Sequence, residues 1–177
     1  MKKINDKTLL LYGLILIAIL SRLIPHPANF TPVAALGVFA GAYISDRRFW
    51  LVPLVAIFIS DMFIGFYQPL TMLFVYIGFA ASAFIGRILL LKKRNSIMLG
   101  GSAVLSATIF FFFSNLGVWL TGLYYPLTLA GFVECFVLAI PFFGNTLFSD
   151  LFYMGVLFGA FEAIREWSTR HQELHTA

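Results

Sequence analysis

Long apolar stretches, separated by short polar or proline-rich segments, run through the whole chain. A helix that crosses a bilayer needs roughly 20 mainly apolar residues in succession. Six stretches approach that length, and the pattern therefore predicts six transmembrane helices, at residues 8–24, 31–45, 49–66, 69–91, 97–121 and 146–164. We expect an all-α membrane protein that forms one integral membrane domain, residues 1–177.

The segment between the fifth and sixth stretches is apolar but interrupted. Residues 127–142 contain Gly131, Glu134 and Pro141, which weaken a continuous membrane helix. We predict a re-entrant or interfacial segment here rather than a seventh span. The first stretch has the alternative of a signal peptide, but no small-residue cleavage site follows it, so we expect it to remain.

The basic residues orient these spans. With the N-terminus in the cytoplasm and six crossings, only Arg22 of the 12 lysines and arginines lies outside. The cytoplasmic ones are Lys2, Lys3, Lys7, Arg47, Arg48, Arg87, Lys92, Lys93, Arg94, Arg165 and Arg170. This distribution follows the positive-inside rule. It predicts cytoplasmic termini and a location in the bacterial cytoplasmic (inner) membrane.

Composition agrees with this pattern and excludes several classes of function. The chain is 60% hydrophobic and 11% charged, with a mean hydropathy of +0.92, well beyond a soluble domain. Its net charge of +4 does not indicate nucleic-acid binding, because no basic helix or nucleic-acid motif is present. Cys135 is the single cysteine, and the sequence has no phosphate-binding loop and no HExxH motif. We therefore expect no enzyme, no resident cofactor and no metal site.

Polar side chains are concentrated near the outer ends of the predicted spans, whereas the inner halves contain mostly Leu, Ile, Phe, Gly and Ala. Polar groups gathered at one depth are typical of a pocket that opens to one side of the membrane. We predict a site for a small molecule there. The candidate binding residues are Arg22, His26, Asn29, Asp61, Tyr76, Asn115, Trp119, Asn145 and Asp150.

Each candidate also has a structural interpretation. The prolines around His26 restrict the backbone and hold it over the pocket, or they merely end one helix and start the next. A lone carboxylate within a span costs about 2.5–3.5 kcal/mol, so Asp61 needs a partner. Arg22 is the cation at a similar depth. The pair stabilises the fold, binds the ligand or does both. Tyr76 and Trp119 also fit an aromatic belt at the interface.

Small residues form a stripe on the second predicted span. Gly37 and Gly41 lie four residues apart, and Ala34 falls on nearly the same face. Such spacing lets helices approach closely in lipid. The stripe packs within the chain or binds another membrane protein, and we assign it as a candidate partner interface.

Three segments carry a resemblance to a known family. They are "SRLIPHPANFTPVAALGVFAGAY", "LVPLVAIFISDMFIGF" and "PFFGNTLFSDLFYMGVLFG". They resemble a family of small six-span bacterial membrane proteins that is in turn similar to the substrate-binding S-components of energy-coupling factor (ECF) vitamin transporters, nearest the solitary cobalamin type. The resemblance implies capture of a small water-soluble nutrient from outside, a vitamin such as cobalamin or a precursor. It implies His26, Asp61 and Tyr76 as pocket residues, and a T-component with ATPases as partner.

The chain departs from the cobalamin type at two places. That type has a cysteine near the outer start of span four as a cobalt ligand, and "FYQPLTMLFVY" has none. Gly144 stands where the resemblance leads us to expect an arginine. The alternative to nutrient capture is a structural or assembly partner of the bacterial membrane without a ligand. A proton-coupled carrier that uses Asp61 and an intramembrane enzyme rank lower, because neither has a second matching group or motif.

The predicted orientation is tested with topology reporters. Reporters fused after Lys93 and after Arg170 should both give cytoplasmic signals, and one fused after Tyr125 should give an external signal. An external signal at Arg170 would contradict the six-span topology.

Overall fold

A computed structural model describes the backbone of residues 6–176 and the side chains of residues 13–167. Within that part of the chain, the fold is all-α and has six helices. They are α1 (Asp6–Leu23), α2 (Val33–Tyr43), α3 (Leu51–Ile64), α4 (Pro69–Leu90), α5 (Ser96–Leu120) and α6 (Leu129–Thr176). The all-α prediction is confirmed. Lys2 and Lys3, which enter the orientation prediction, lie outside the described residues, as do the side chains of Lys7 and Arg170.

Local sequence signals set several helix ends. Gln68 caps α4 by accepting a hydrogen bond from the Thr71 backbone N–H at 2.8 Å, and Pro69 occupies the first turn. Asn95 caps α5 in the same way, since its side-chain oxygen accepts from the Met98 N–H at 2.9 Å. Gly65 ends α3 with a φ of +110°, a backbone conformation that glycine adopts without a steric cost.

Three helices are long and apolar enough to cross a bilayer: α4, α5 and the part of α6 from Leu129 to Trp167. The chain therefore has the helices of a membrane protein. α2 and α3 have 11 and 14 residues, so they extend for only about 16 and 21 Å at 1.5 Å per residue. A hydrocarbon core is about 30 Å thick. The count of six crossings and the sidedness of the termini stay predictions.

α6 differs from the prediction for this part of the chain. Residues 129–142 share one helix with the residues that follow, because α6 runs without a break from Leu129 to Thr176. That residues 127–142 are re-entrant or interfacial stays a prediction. Pro141 lies inside this helix of 48 residues. A proline removes one bond of the helical ladder, and a membrane helix tolerates that loss where its neighbours pack against it. α6 is about 72 Å long at 1.5 Å per residue, so part of it must extend beyond a hydrocarbon core.

α2 lies at the centre of the bundle. Ten of its residues are buried, and it contacts each of the other five helices. Around it, α1 packs on α3, α3 on α4, α4 on α5 and α5 on α6, while the backbones of α1 and α6 do not approach each other within the described residues. The outer helices therefore form an open ring around α2.

Glycines allow α2 and α4 to touch through their backbones. A Cβ on Gly41 would overlap the Ala83 carbonyl oxygen, and one on Gly86 would overlap the Val38 carbonyl oxygen. A Cβ on Gly37 would overlap the Ser82 hydroxyl. α4 thus occupies the Gly37 and Gly41 face, which was the candidate partner interface. The geometry supports the alternative of packing within the chain.

The end of α2 at Tyr43 is fixed by arginines. The guanidinium of Arg87 donates to the Ile44 carbonyl at 2.7 Å, and that of Arg94 donates to the Ala42 carbonyl at 2.8 Å. Arg94 also lies over the Tyr43 ring, 4.2 Å from its centroid. Cations at a helix C-terminus satisfy its unpaired carbonyls and complement its dipole.

The surface of the bundle is apolar. Large side chains such as Ile97 (82% exposed), Leu129 (80%) and Ile88 (76%) point away from the core. A soluble monomer rarely exposes contiguous apolar patches of this kind. The exposed surface is the one that a bilayer would cover.

Gly41→Ala should destabilise the protein by about 1–3 kcal/mol, because the new methyl group overlaps backbone atoms of α4 that cannot rotate away. The matched control is Gly155→Ala in α6, since Gly155 is exposed and a methyl group there would have no heavy atom within 4 Å. Removing a helical glycine at that position should stabilise by up to about 1 kcal/mol. Thermal unfolding in detergent measures both variants. Equal melting temperatures for the two would contradict the close α2–α4 contact.

Candidate functional site

A cavity of about 490 Å³ lies at one end of the bundle. It is found where α1 and α3 end and where α2 and α4 begin, with α5 and α6 along its side. Half of its lining residues are polar, namely Arg22, His26, Asn29, Thr31, Tyr67, Thr71, Ser114, Asn115, Thr146 and Asp150. The apolar half consists of Ala34, Ile57, Ile64, Val75, Phe79, Phe110, Phe111, Val118, Ala139 and Phe142. The volume and the mixture of apolar walls with a few polar groups are typical of small-molecule sites.

Arg22 and Asp61 form the ion pair that the sequence suggests. Arg22 Nη2 lies 2.7 Å from Asp61 Oδ1, and the Asp61 side chain is only 1% exposed. The Tyr76 hydroxyl donates to the other carboxylate oxygen, Oδ2, at 2.9 Å. Both oxygens of Asp61 therefore have partners. Asp61 and Tyr76 lie behind Arg22, which is the member of this group that lines the cavity.

The loop between α1 and α2 is held in place by α6. Asn145 donates to the Ala28 carbonyl at 3.1 Å, and the Ser149 hydroxyl donates to the Thr31 carbonyl at 2.9 Å. The Phe30 ring packs on the ring of Tyr153, with 5.5 Å between centroids. The loop is therefore a fixed wall of the cavity. This is the arrangement expected if the loop holds His26 over the pocket.

Asn29 and His26 contribute the loop's polar groups to the cavity. Asn29 has a φ of +63°, in the left-handed region that asparagine tolerates better than most residues. His26 Nδ1 lies 2.8 Å from the Pro27 carbonyl oxygen. Since a carbonyl oxygen only accepts, Nδ1 must carry a proton and donate it in this contact. Nε2 takes no part in the contact. Both side chains are exposed at the mouth of the cavity.

Asp150 is buried in the cavity wall without a full set of partners. Its side chain is 1% exposed, and its Oδ2 accepts no hydrogen bond from any residue that the structure describes. The Ser106 hydroxyl lies beside it, but neither Ser106 Oγ nor Asp150 Oδ2 meets hydrogen-bond geometry with any group. Arg22 Nε is likewise buried and without a partner. Buried polar atoms in native proteins are nearly always paired with protein groups or ordered water, so these atoms are candidate contacts for a water molecule or a ligand.

Two candidates have structural contacts instead of a place in the lining. The Trp119 indole N–H donates to the Pro126 carbonyl at 3.1 Å, and its ring packs on Phe132. Asn145 fixes the loop, as described above. Asn115 does line the cavity, and its amide group donates to the Phe111 carbonyl at 2.7 Å.

Sequence reasoning missed five hydroxyl-bearing side chains of the lining. They are Thr31, Tyr67, Thr71, Ser114 and Thr146. Helical spacing was a usable signal, because Phe111, Ser114, Asn115 and Val118 repeat at the intervals that place residues on one helix face. Likewise, Thr71, Val75 and Phe79 are four residues apart on α4 and therefore lie on one face of that helix.

Tyr67 stands in the loop between α3 and α4. Burial raises the pKa of its hydroxyl above the ordinary value of 10.0, and the nearby Asp61 carboxylate raises that pKa further. The hydroxyl therefore stays protonated and offers the cavity a hydrogen-bond donor as well as an acceptor.

Within the described part of the chain, no group of three or more His, Cys, Asp or Glu side chains is arranged to hold a metal ion. Cys135 is buried, and its thiol is directed to the Asn115 carbonyl, with Sγ and O 3.5 Å apart. It is not one of the lining residues.

Comparison with curated proteins gave no match, and comparison with solved structures gave none either. Comparison with family profiles gave a match over residues 2–173, which is nearly the whole chain. The protein belongs to DUF6580, a family of unknown function.

Proposed function

We propose that this protein captures a small water-soluble nutrient at the outer face of the bacterial cytoplasmic membrane, in the manner of an S-component. The observation that carries the proposal is the cavity of about 490 Å³ with aromatic walls, a polar mouth and a fixed loop. Pre-organised walls reduce the entropy lost on binding. The apolar lining supplies contact area, and the few polar groups supply orientation.

The side of the membrane follows from the positive-inside rule. The cavity lies at the end of the bundle where the α1–α2 and α3–α4 loops meet. Arg47 and Arg48 belong to the opposite loop, between α2 and α3, and Lys92, Lys93 and Arg94 follow α4. Because these basic segments favour the cytoplasm, the cavity would open outward.

The lining favours a molecule smaller than a whole corrinoid. A cavity of about 490 Å³ is in the range that encloses drug-sized ligands. At the start of α4 the lining has the hydroxyl of Thr71, and the stretch has no cysteine such as the cobalamin type uses. A precursor or another small vitamin is therefore the better form of the proposal.

An energising partner is part of the same proposal. An S-component depends on a T-component and ATPases, and this sequence has no phosphate-binding loop of its own. The Gly37 and Gly41 face is occupied by α4 and does not support that partner. A partner would have to use another surface.

The competing function is a structural or assembly role without a ligand. The Arg22, Asp61 and Tyr76 group supports it, because every oxygen of Asp61 is already satisfied within the chain. The ion pair therefore has to be tested separately for stability and for binding.

Asp61→Asn and Arg22→Gln should each destabilise the fold by roughly 3–5 kcal/mol, because each leaves one buried charge without its partner. The double variant removes both charges and should recover much of that loss. If Arg22 also contacts a ligand, the stable double variant should nevertheless lose the small molecule that co-purifies with the wild type. Thermal unfolding measures stability, and mass spectrometry of extracts from purified protein measures the bound molecule.

Glu134→Gln is the matched control, because it removes an exposed carboxylate outside the cavity. It should keep both the stability and the co-purifying molecule. A stable double variant that carries the same molecule as the wild type would show that the ion pair is structural and that the molecule binds elsewhere. A wild type with no co-purifying molecule would favour the structural role for the whole protein.

A further inference from the structure

Asp150 is the acidic group in the cavity for which the described residues provide no cation. Among the charged lining residues, Arg22 is neutralised by Asp61 at 2.7 Å, whereas no cation of the described residues forms an ion pair with Asp150. Its carboxylate is 1% exposed, and Oδ2 accepts no hydrogen bond. Burying an unpaired carboxylate costs free energy, so the fold gains nothing from this residue in the empty state.

The surroundings of Asp150 indicate what would pair with it. The neighbouring polar side chain, Ser106, also has an unused hydroxyl. The aromatic walls at Phe79, Phe110 and Phe142 enclose the rest of the cavity. A molecule with a flat apolar body and a positively charged nitrogen at one end would satisfy both the walls and the carboxylate. Carboxylates accept their strongest hydrogen bonds from charged N–H donors.

We propose that the cavity selects ligands with a protonated amine or similar cationic nitrogen, and that this group binds the Asp150 carboxylate. This inference rests on the proposed capture function and names the chemical class of its ligand. Arg22 remains paired with Asp61 at the mouth, and its unpartnered Nε is a donor for an acceptor group elsewhere on the ligand.

Three probes with one indole ring and one two-carbon arm test the charge selection: tryptamine, tryptophol and indole-3-propionate. They end in an ammonium, a hydroxyl and a carboxylate. Isothermal titration calorimetry on protein in lipid nanodiscs, with empty nanodiscs subtracted, gives the dissociation constant of each. We expect tryptamine to bind the wild type about tenfold or more tightly than tryptophol, and indole-3-propionate to bind least.

Asp150→Asn keeps the shape and removes the charge. It should abolish the preference for tryptamine over tryptophol, and the variant should melt at the same temperature as the wild type or higher. Glu134→Gln removes a carboxylate from the same helix but outside the cavity, and it should leave the preference unchanged.

The inference is wrong if the wild type shows no preference for tryptamine, including the case in which none of the probes binds. It is also wrong if Asp150→Asn keeps the preference, whatever its melting temperature, since Asp150 would then have no part in selecting the ligand. The mass spectrometry described above distinguishes failure of this inference from failure of the proposed function. If a molecule co-purifies but the probes show no charge selection, the capture function stands and only the inference fails. If no molecule co-purifies and the probes show no charge selection, the capture function is contradicted as well.

Discussion

The shortness of α2 is the constraint on which the cavity depends. The helix has 11 residues and extends for about 16 Å, yet it occupies the centre of the bundle. Arg87 and Arg94 fix its end at Tyr43, and backbone contact through Gly41 and Gly86 holds its flank against α4. α2 therefore does not fill the volume beyond its first turn, at the end where the cavity lies. Thr31 and Ala34 line the cavity at that point.

The polar groups around this cavity divide into two kinds. Asp61 has a guanidinium on one oxygen and a phenol on the other, so its charge is compensated within the chain. Asp150 has a comparable burial and a free Oδ2. A buried polar group without a partner lowers the free energy of unfolding. Proteins therefore keep such a group mainly where it serves a function. This contrast is the physical basis for the choice of Asp150, rather than the ion pair, as the group that selects a ligand.

Hydrophobic length predicted six helical stretches, and the predicted bounds of the first five agree with α1 to α5 to within two residues at each end. Charge at a common depth predicted the contact between Arg22 and Asp61, which is confirmed. The helix α6 is not interrupted at Pro141, because proline weakens a helix locally whereas packing decides whether the helix continues. The hydroxyl groups of Ser114 and Thr146 were missed, since a hydroxyl within a membrane helix can simply bond its own backbone. Only the arrangement of neighbouring helices shows that they line a cavity.

Capture from outside requires that the cavity be accessible from the outer face of the membrane. Single cysteines introduced in a Cys135→Ser background test it directly, with Ser114→Cys on the cavity wall and Ile88→Cys on the apolar surface near the other end of α4. A charged, membrane-impermeant thiol reagent added to intact spheroplasts should modify the cysteine at 114 and leave the one at 88 unmodified. If the cysteine at 114 reacts only after the membrane is permeabilised, the cavity does not open outward and capture from outside is contradicted.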